Sequence, residues 1–317
     1  MFVVFRNPND YLKVIFDGYM NKRVLLDKDL HCPILSFIGR LHNSIKINRK
    51  CNLPFKNFWF PHYLDYNEIN VAECVFFVFF EGSRVAYQKE YLSYLKSRFQ
   101  NSKFIFRFVN TINQQNKWMV NFVENYYDMI ISMDQCDCKK NNWVYVSNTY
   151  NIQPKITEQI KDIDVFFVGS DKGRLKKILS IYRYLKTIDL RCEFYIAEVK
   201  EEERIYGLEG IHYIKYMKYS KTLELISRSK CLLEVVQEGQ VGSTMRSMEA
   251  LVYRKKLLTN DKSIKSQEYF CKENMFVFEE PIDIDKDFIL SKVVENKTCL
   301  QNISHDILFK KIEAYFK

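Results

Sequence analysis

The chain has 317 residues, a length that favours two domains over one small module. Hydrophobic residues make up 47%, charged residues 27% and aromatic residues 15%, which excludes extended disorder. A net charge of +9, from 48 Lys and Arg against 39 Asp and Glu, draws the protein towards polyanions without choosing among nucleic acid, anionic lipid and phosphorylated small molecules.

The opening MFVVFRNPNDYLK carries charged and helix-breaking residues where a secretory signal needs an apolar run of about 7–15 residues, so no export signal is expected. Segment 34–50, ILSFIGRLHNSIKINRK, mixes Ile34, Leu35, Phe37, Ile38, Leu41 and Ile45 with Arg40, Lys46, Arg49 and Lys50. It reads as a basic amphipathic helix, suited to an anionic bilayer or to packing on a sheet with its charges in water. Segment 72–82, AECVFFVFFEG, reads as a strand buried on both faces and ending at Glu81-Gly82. Its apolar run is far short of the roughly 18–20 residues that span a bilayer. A helix over 84–99, with Val85, Tyr91, Leu92 and Leu95 near helical spacing, and a strand over 103–109 complete a β-α-β unit. A helix over 118–127 and strands over 128–134 and 143–148 continue the pattern, which implies a parallel sheet with helices on its faces.

Residues 149–160 are polar, contain Pro154 and lack an apolar period, so the boundary is placed there, with an amino-terminal domain over 1–153 and a second over 154–300. The second half repeats the alternation. Strands are expected over 164–170, 191–199, 210–216, 231–236 and 255–260, and helices over 172–188, 222–230 and 243–253. A terminal helix within 301–317 is expected to pack back towards the amino-terminal domain. No repeat of 20–50 residues is visible, so a solenoid is excluded, and two doubly wound α/β domains in tandem are expected.

Nine cysteines, an odd number without a regular framework, indicate a reducing cytosol. Cys136-Asp137-Cys138 lacks the second ligand pair of a zinc site, so no metal is expected. Zinc-finger, homeodomain and RNA-recognition patterns are absent and the lysines are spread, which argues against a nucleic-acid partner.

In open α/β sheets ligands bind beyond the carboxyl ends of strands, where helix openings present free N–H groups. Only nine glycines occur in the chain, yet Gly169, Gly173, Gly239 and Gly242 fall in two strand-to-helix connections. Glycine is needed where backbone turns sharply or approaches a ligand closely. The first connection, Gly169-Ser170-Asp171-Lys172-Gly173-Arg174, adds two cations to a helix start and suits a diphosphate; the alternative is a capped turn with solvated charges. It matches neither the Walker loop nor Gly-x-Gly-x-x-Gly. The second, running from Gln240 through Gly242, Ser243, Thr244 and Arg246 to Glu249, offers amides and hydroxyls to phosphates and a carboxylate to a ribose diol. The alternative makes Ser243 or Thr244 an N-cap and Glu249 a solvent charge.

The run GSDKGRLKKIL, followed by YSKTLELISRSKCLLEVVQEGQVGSTMRSMEALVYRKKLLTND, resembles the nucleotide-sugar-binding domain of GT-B-fold glycosyltransferases, especially bacterial enzymes of lipopolysaccharide and capsule assembly. LHNSIKIN, LPFKNFW and KFIFRFVNTINQQ…YYDMIISMDQCD are similar to the amino-terminal half of such proteins. The resemblance implies two Rossmann-like doubly wound domains facing across a cleft, and transfer of a sugar from a nucleotide-diphosphate donor to a lipid-linked or lipopolysaccharide, O-antigen or capsule glycan. It places Glu249 at the ribose and Ser243, Thr244 and Arg174 at the phosphates. The Glu-x7-Glu of many retaining enzymes is broken at Val241, so an inverting, metal-independent reaction is expected, with no cofactor beyond the donor substrate. Inversion needs a base, for which Glu81 and His42 are the candidates, each equally suited to a structural role. The expected location is cytoplasmic, peripheral on the inner face of the membrane. The competing readings are a non-catalytic glycan- or nucleic-acid-binding protein, a phosphotransferase on teichoic-acid-like polymers, and an epimerase using Tyr182 and Lys186.

Overall fold

A computed structural model describes residues 1–6, 10–19, 21–28, 32–113, 117–153, 160–237 and 244–317. They form two compact units, Met1–Lys13 with Tyr19–Ser147 and Val14–Gly18 with Asn148–Lys317. Each is built on six parallel strands among the described residues, and the alternating pattern of the sequence is realised as two Rossmann-like, doubly wound domains.

The first sheet comprises β1 (Phe2–Phe5), β2 (Val24–Leu26), β3 (Val75–Phe80), β4 (Ser102–Arg107), β5 (Met129–Ser132) and β6 (Val144–Tyr145), in the order β2-β1-β3-β4-β5-β6. Its helices are α1 (Asp10–Ile15), α2 (Pro33–His42), α3 (Ile45–Asn48), α4 (Lys89–Arg98), α5 (Trp118–Tyr126) and α6 (Gln135–Asn141). All six residues of β3 are buried, as a central parallel strand covered on both faces requires. The core here is aromatic: Phe5 stacks on Phe79 with ring centroids 4.4 Å apart, and Tyr91 meets Phe5 edge-on at 5.7 Å.

The second sheet comprises β7 (Ile163–Ser170), β8 (Cys192–Ala197), β9 (Ile211–Ile214), β10 (Ser229–Glu234), β11 (Lys256–Thr259) and β12 (Met275–Val277), ordered β12-β11-β10-β7-β8-β9. Its helices are α7 (Leu175–Thr187), α8 (Tyr219–Arg228), α9 (Met245–Val252), α10 (Lys286–Leu290), α11 (Lys297–Gln301) and α12 (His305–Tyr315). The α7 stripe Leu175, Ile178, Leu179, Ile181, Tyr182 and Leu185 is buried, and burying each such side chain contributes roughly 1.5–3 kcal/mol. Strand order reverses between β1 and β3 in the first sheet and between β7 and β10 in the second. At such a reversal the helices on either side leave on opposite faces and open a crevice at the carboxyl ends of the strands.

Several boundaries differ from those expected. The strand β1 occupies the opening segment, fully buried beside β3, although only its neighbours reveal that it is central. The helix expected over 84–99 begins at Lys89, because Ser83, Ala86 and Gln88 first close successive backbone turns that bury Ser83, Val85 and Ala86. The segment 34–50 is two helices broken at Asn43-Ser44, where the Asn43 side chain donates to Gly39 O at 2.9 Å and accepts from Gln88 Nε2 at 2.7 Å. The terminal helix α12 belongs to the second unit. What it meets from the chain start is the 14–18 segment of that same unit: His305 stacks on Phe16 at 3.9 Å and its Nε2 lies 2.8 Å from Ile15 O.

Candidate functional site

Strand β7 runs through Ser170, with Gly169 paired to Ile196 and Ser170 to Ala197, so these two residues belong to the sheet and not to the connection. The turn into α7 is therefore only Asp171–Arg174. Lys172 and Gly173 both take positive φ, 47° and 78°, and a side chain at Gly173 would meet open space, so the glycine serves the backbone twist. Asp171 closes the turn, its Oδ1 accepting from Leu175 N at 2.6 Å.

Arg174 ties this turn to the neighbouring strand. Its guanidinium donates to the carbonyls of Ser170, Asp171 and Val235, and burial pulls it below the ordinary arginine range. The expected phosphate ligand is thus a brace that spends three donors on backbone and keeps two. Lys172 is exposed beside it.

Gln240, Gly242 and Ser243, with Gly239, lie outside the described residues. Thr244 is the N-cap of α9, its hydroxyl accepting from Arg246 N at 3.1 Å and donating to Glu234. Glu234, at the last position of β10, also accepts from the hydroxyls of Ser247, at 3.0 Å, and Thr259. This buried carboxylate fastens the ends of β10 and β11 to the start of α9, and burial pushes its carboxyl up against the three hydroxyl donors. In the sequence Glu234 is an ordinary acidic residue ending an apolar strand, and only its position in CLLEVV, where a central strand meets the switch point, marks it out.

Glu249 is neither exposed nor open to a ligand. It is 1% exposed, accepts from Tyr219 Oη at 2.7 Å, and the Tyr219 hydroxyl continues to Tyr150 at 3.0 Å. Its Oε2 lies 2.6 Å from Arg246 Nη1, yet the two atoms are not aligned for a hydrogen bond. They form a close ion pair in which both buried atoms keep unused hydrogen-bonding capacity. Burial pushes the Glu249 carboxyl up, with Arg246 and Tyr219 pulling the other way. A carboxyl held above its unfolded value binds its proton more tightly when folded, so this contribution to stability is full below about pH 4.3 and is lost as pH rises through the folded value. Glu249→Gln is accordingly expected to gain in Tm relative to wild type as pH rises above about 4.3. A difference that stays flat as pH rises would show that the site does not favour the protonated form.

The two connections converge. A cavity of about 280 Å³ opens between the carboxyl ends of β7 and β10, lined by Gly169, Ser170, Lys172 and Arg174 from one side and Val235, Thr244 and Arg246 from the other. Its position is the topological switch point. At each helix start one amide, Leu175 N or Arg246 N, is taken by a side chain of its own turn, while the Gly242 and Ser243 amides lie outside the described residues. The cationic side chains Lys172, Arg174 and Arg246 remain as the attraction for an anion.

In the first unit, Glu81 is buried at the end of β3, its Oε2 accepting from Val109 N and Asn110 N at 3.0 Å and Asn110 Nδ2 at 3.2 Å. It joins the end of β3 to the chain leaving β4. His42 Nδ1 accepts from Trp59 Nε1 at 2.8 Å, so the lone pair of the neutral ring is occupied and its proton sits on Nε2. These bonds tie both side chains to the frame of the first unit, and neither residue lines the cavity between β7 and β10. Tyr182, the epimerase candidate, is buried and donates to Glu209 O. Cys136 is exposed and Cys138 buried, and among the described residues no group of three His, Cys, Asp or Glu side chains is placed to hold a metal. No helix among the described residues is long and apolar enough to cross a membrane.

No family model matches the chain, and no curated protein matches it. Among solved structures, a glycosyltransferase from Rickettsia africae is 11% identical over 99% of this chain and 97% of its own, with a TM-score of 0.44. An alpha-glucosyltransferase in complex with UDP is 9% identical over 99% and 98%, with a TM-score of 0.49. The UDP-GlcNAc 2-epimerase of Methanocaldococcus jannaschii is 12% identical over 99% of both chains, with a TM-score of 0.42. Glycosyltransferases thus stand among the structural neighbours, at identities and scores that assign no activity to this chain.

Proposed function

We propose that this protein is a glycosyltransferase that binds a nucleotide-diphosphate sugar in the cavity between β7 and β10 and passes the sugar to a growing lipopolysaccharide, O-antigen or capsule glycan. The observation that carries the reading is the cationic cavity at the switch point of the second sheet. Lys172 and Arg246 face a diphosphate there, and the spare donors of Arg174 join them, so charge developing on the leaving diphosphate is offset by side chains without a metal. Arg246 pairs with Glu249 before ligand arrives, so the buried Glu249 holds the arginine at the cavity wall and does not itself reach the ligand. Inversion at the anomeric carbon is the expected stereochemical course, given Val241 where retaining relatives carry glutamate.

The acceptor side of the reading rests on α2. Ile34, Leu35, Phe37, Ile38 and Leu41 are all exposed, and Arg40, Lys46, Arg49 and Lys50 accompany them. Such a basic apolar surface suits the inner face of an anionic bilayer, where lipid-linked glycans are presented.

A panel of nucleoside diphosphates tests the proposal. At about a hundredfold excess over Kd, the matching nucleotide is expected to add roughly 2.7 kcal/mol to stability, and slow hydrolysis of its sugar conjugate without acceptor is expected as well. Absence of any Tm shift across UDP, GDP, dTDP, CDP and ADP would overturn the reading. Stabilisation without hydrolysis or transfer would return the protein to the class of binding modules.

A further inference from the structure

The first unit holds a cavity of its own, about 340 Å³ in volume, beneath α3 and beside the starts of α4 and α5. Its frame is rigid. Asn48 donates to His42 O and Ser44 O at 2.8 and 2.9 Å and accepts from Leu53 N, while Asn43 and Gln88 are bonded to each other. These bonds hold the walls and leave other groups to meet a ligand.

One wall is aromatic. Tyr87, Trp118 and Phe122 line it, with Tyr87 and Trp118 centroids 5.2 Å apart, and the Arg49 guanidinium lies 4.4 Å from the Trp118 ring centre. Flat aromatic faces of this kind pack against the C–H face of a pyranose ring by burying apolar area.

The other feature is charge. Arg49, Lys56, Arg84 and Lys89 line the cavity against a single carboxylate, Glu90. Lys56 is 7% exposed, and its ammonium donates only to Asn52 Oδ1; among the described residues it has no ion-pair partner. Asn52 in turn donates to Glu90 at 3.2 Å. Burial pulls the Lys56 ammonium below its ordinary range, with Glu90 acting in the opposite sense. A nearly buried ammonium with two unspent donors at the wall of a cavity is placed to pair with an anion that enters it.

We propose that this cavity binds an acidic saccharide, its ring against Trp118 and its phosphate or carboxylate on Lys56, with Arg49 as the second cation. A neutral sugar would leave Lys56 unpaired, and a bare anion would leave the aromatic wall uncovered. Naming that saccharide as the acceptor rests on the transferase reading above; the binding itself does not.

All three tryptophans, Trp59, Trp118 and Trp143, lie in the first unit, so intrinsic fluorescence of the full chain reports on it. Titration with glucose 6-phosphate or glucuronic acid is expected to shift the emission, with affinity about tenfold above that for glucose and above that for inorganic phosphate. Lys56→Gln should abolish the preference for the acidic sugar while leaving glucose binding unchanged. If that variant fails to fold, Arg49→Gln, at an exposed position, should reduce the same preference. Equal affinity for glucose and its acidic counterparts, or no response to any of them, overturns the proposal. So does phosphate alone binding as tightly as the phosphorylated sugar. Phosphatidylglycerol vesicles that compete fully with glucose 6-phosphate would reassign Lys56 to a lipid headgroup and likewise overturn it. The nucleotide-induced Tm shift is read on the same sample: its loss alone removes the transferase reading, and failure of the sugar titration alone removes this one.

Discussion

Arg246→Ala is expected to weaken nucleoside diphosphate binding by about tenfold to a hundredfold, the usual cost of deleting one charge-assisted contact to phosphate. The arginine lines the cavity and sits at the second position of α9, while its Nη1 rests against Glu249. Its removal has a second consequence. Glu249, 1% exposed, would be left without its cation, and stranding a buried charge costs about 3–5 kcal/mol. The Tm of the single variant therefore falls even without ligand, and that loss must be separated from the loss of binding. The double variant Arg246→Ala/Glu249→Gln does so, since it removes the stranded charge as well as the cation. It is expected to recover most of the lost Tm and none of the lost affinity, and Tm with and without UDP on the four proteins gives both coupling energies. Full nucleotide affinity in the double variant would show that Arg246 serves the fold only, leaving Lys172 and Arg174 to hold any diphosphate.

The largest loss of stability is expected from Glu234→Ala. Thr244 and Ser247, at the start of α9, and Thr259, at the end of β11, all donate to this carboxylate, which is 5% exposed. Alanine leaves the buried hydroxyls of Ser247 and Thr259 and the half-buried one of Thr244 without their acceptor, and a void where the side chain stood, together about 3–5 kcal/mol. Glu234→Gln keeps one carbonyl acceptor, and the hydroxyls can turn to accept from its amide, so a loss of about 1 kcal/mol is expected. Urea unfolding of the two variants distinguishes the cases, provided m is unchanged. A Glu234→Ala loss no larger than that of Glu234→Gln would mean that the three hydroxyls find other partners and that α9 is held by packing alone.

How far the candidate site was legible differs between its two halves. Expecting a crevice beyond β7 and β10 needs only the alternation of apolar runs and helices, because a parallel sheet reverses its winding somewhere and crevices form there. Roles of single residues were not legible in the same way. Arg174 and Glu249 are residue types that contact phosphate and ribose in many proteins, yet the distance from Arg174 to the carbonyls of Ser170 and Val235 depends on how two strands far apart in sequence lie side by side. His42 and Trp59 are 17 positions apart, and nothing in their spacing announces the bond that occupies the imidazole.

The sequence by itself determined the class of fold: β3, β4, β7 and β8 are apolar runs short enough to be strands, separated by helices with one apolar stripe, and burial of those faces admits few arrangements other than two parallel sheets. Only tertiary structure decided which polar side chains are spent on the frame and which face a cavity. Hydrogen bonds are satisfied by whatever atom lies within about 3 Å, and that proximity is set by the packing of whole elements and not by local residue order. Glu234, Glu249 and Lys56 show this most directly, since each carries an ordinary surface charge in the sequence and each is buried in the folded chain.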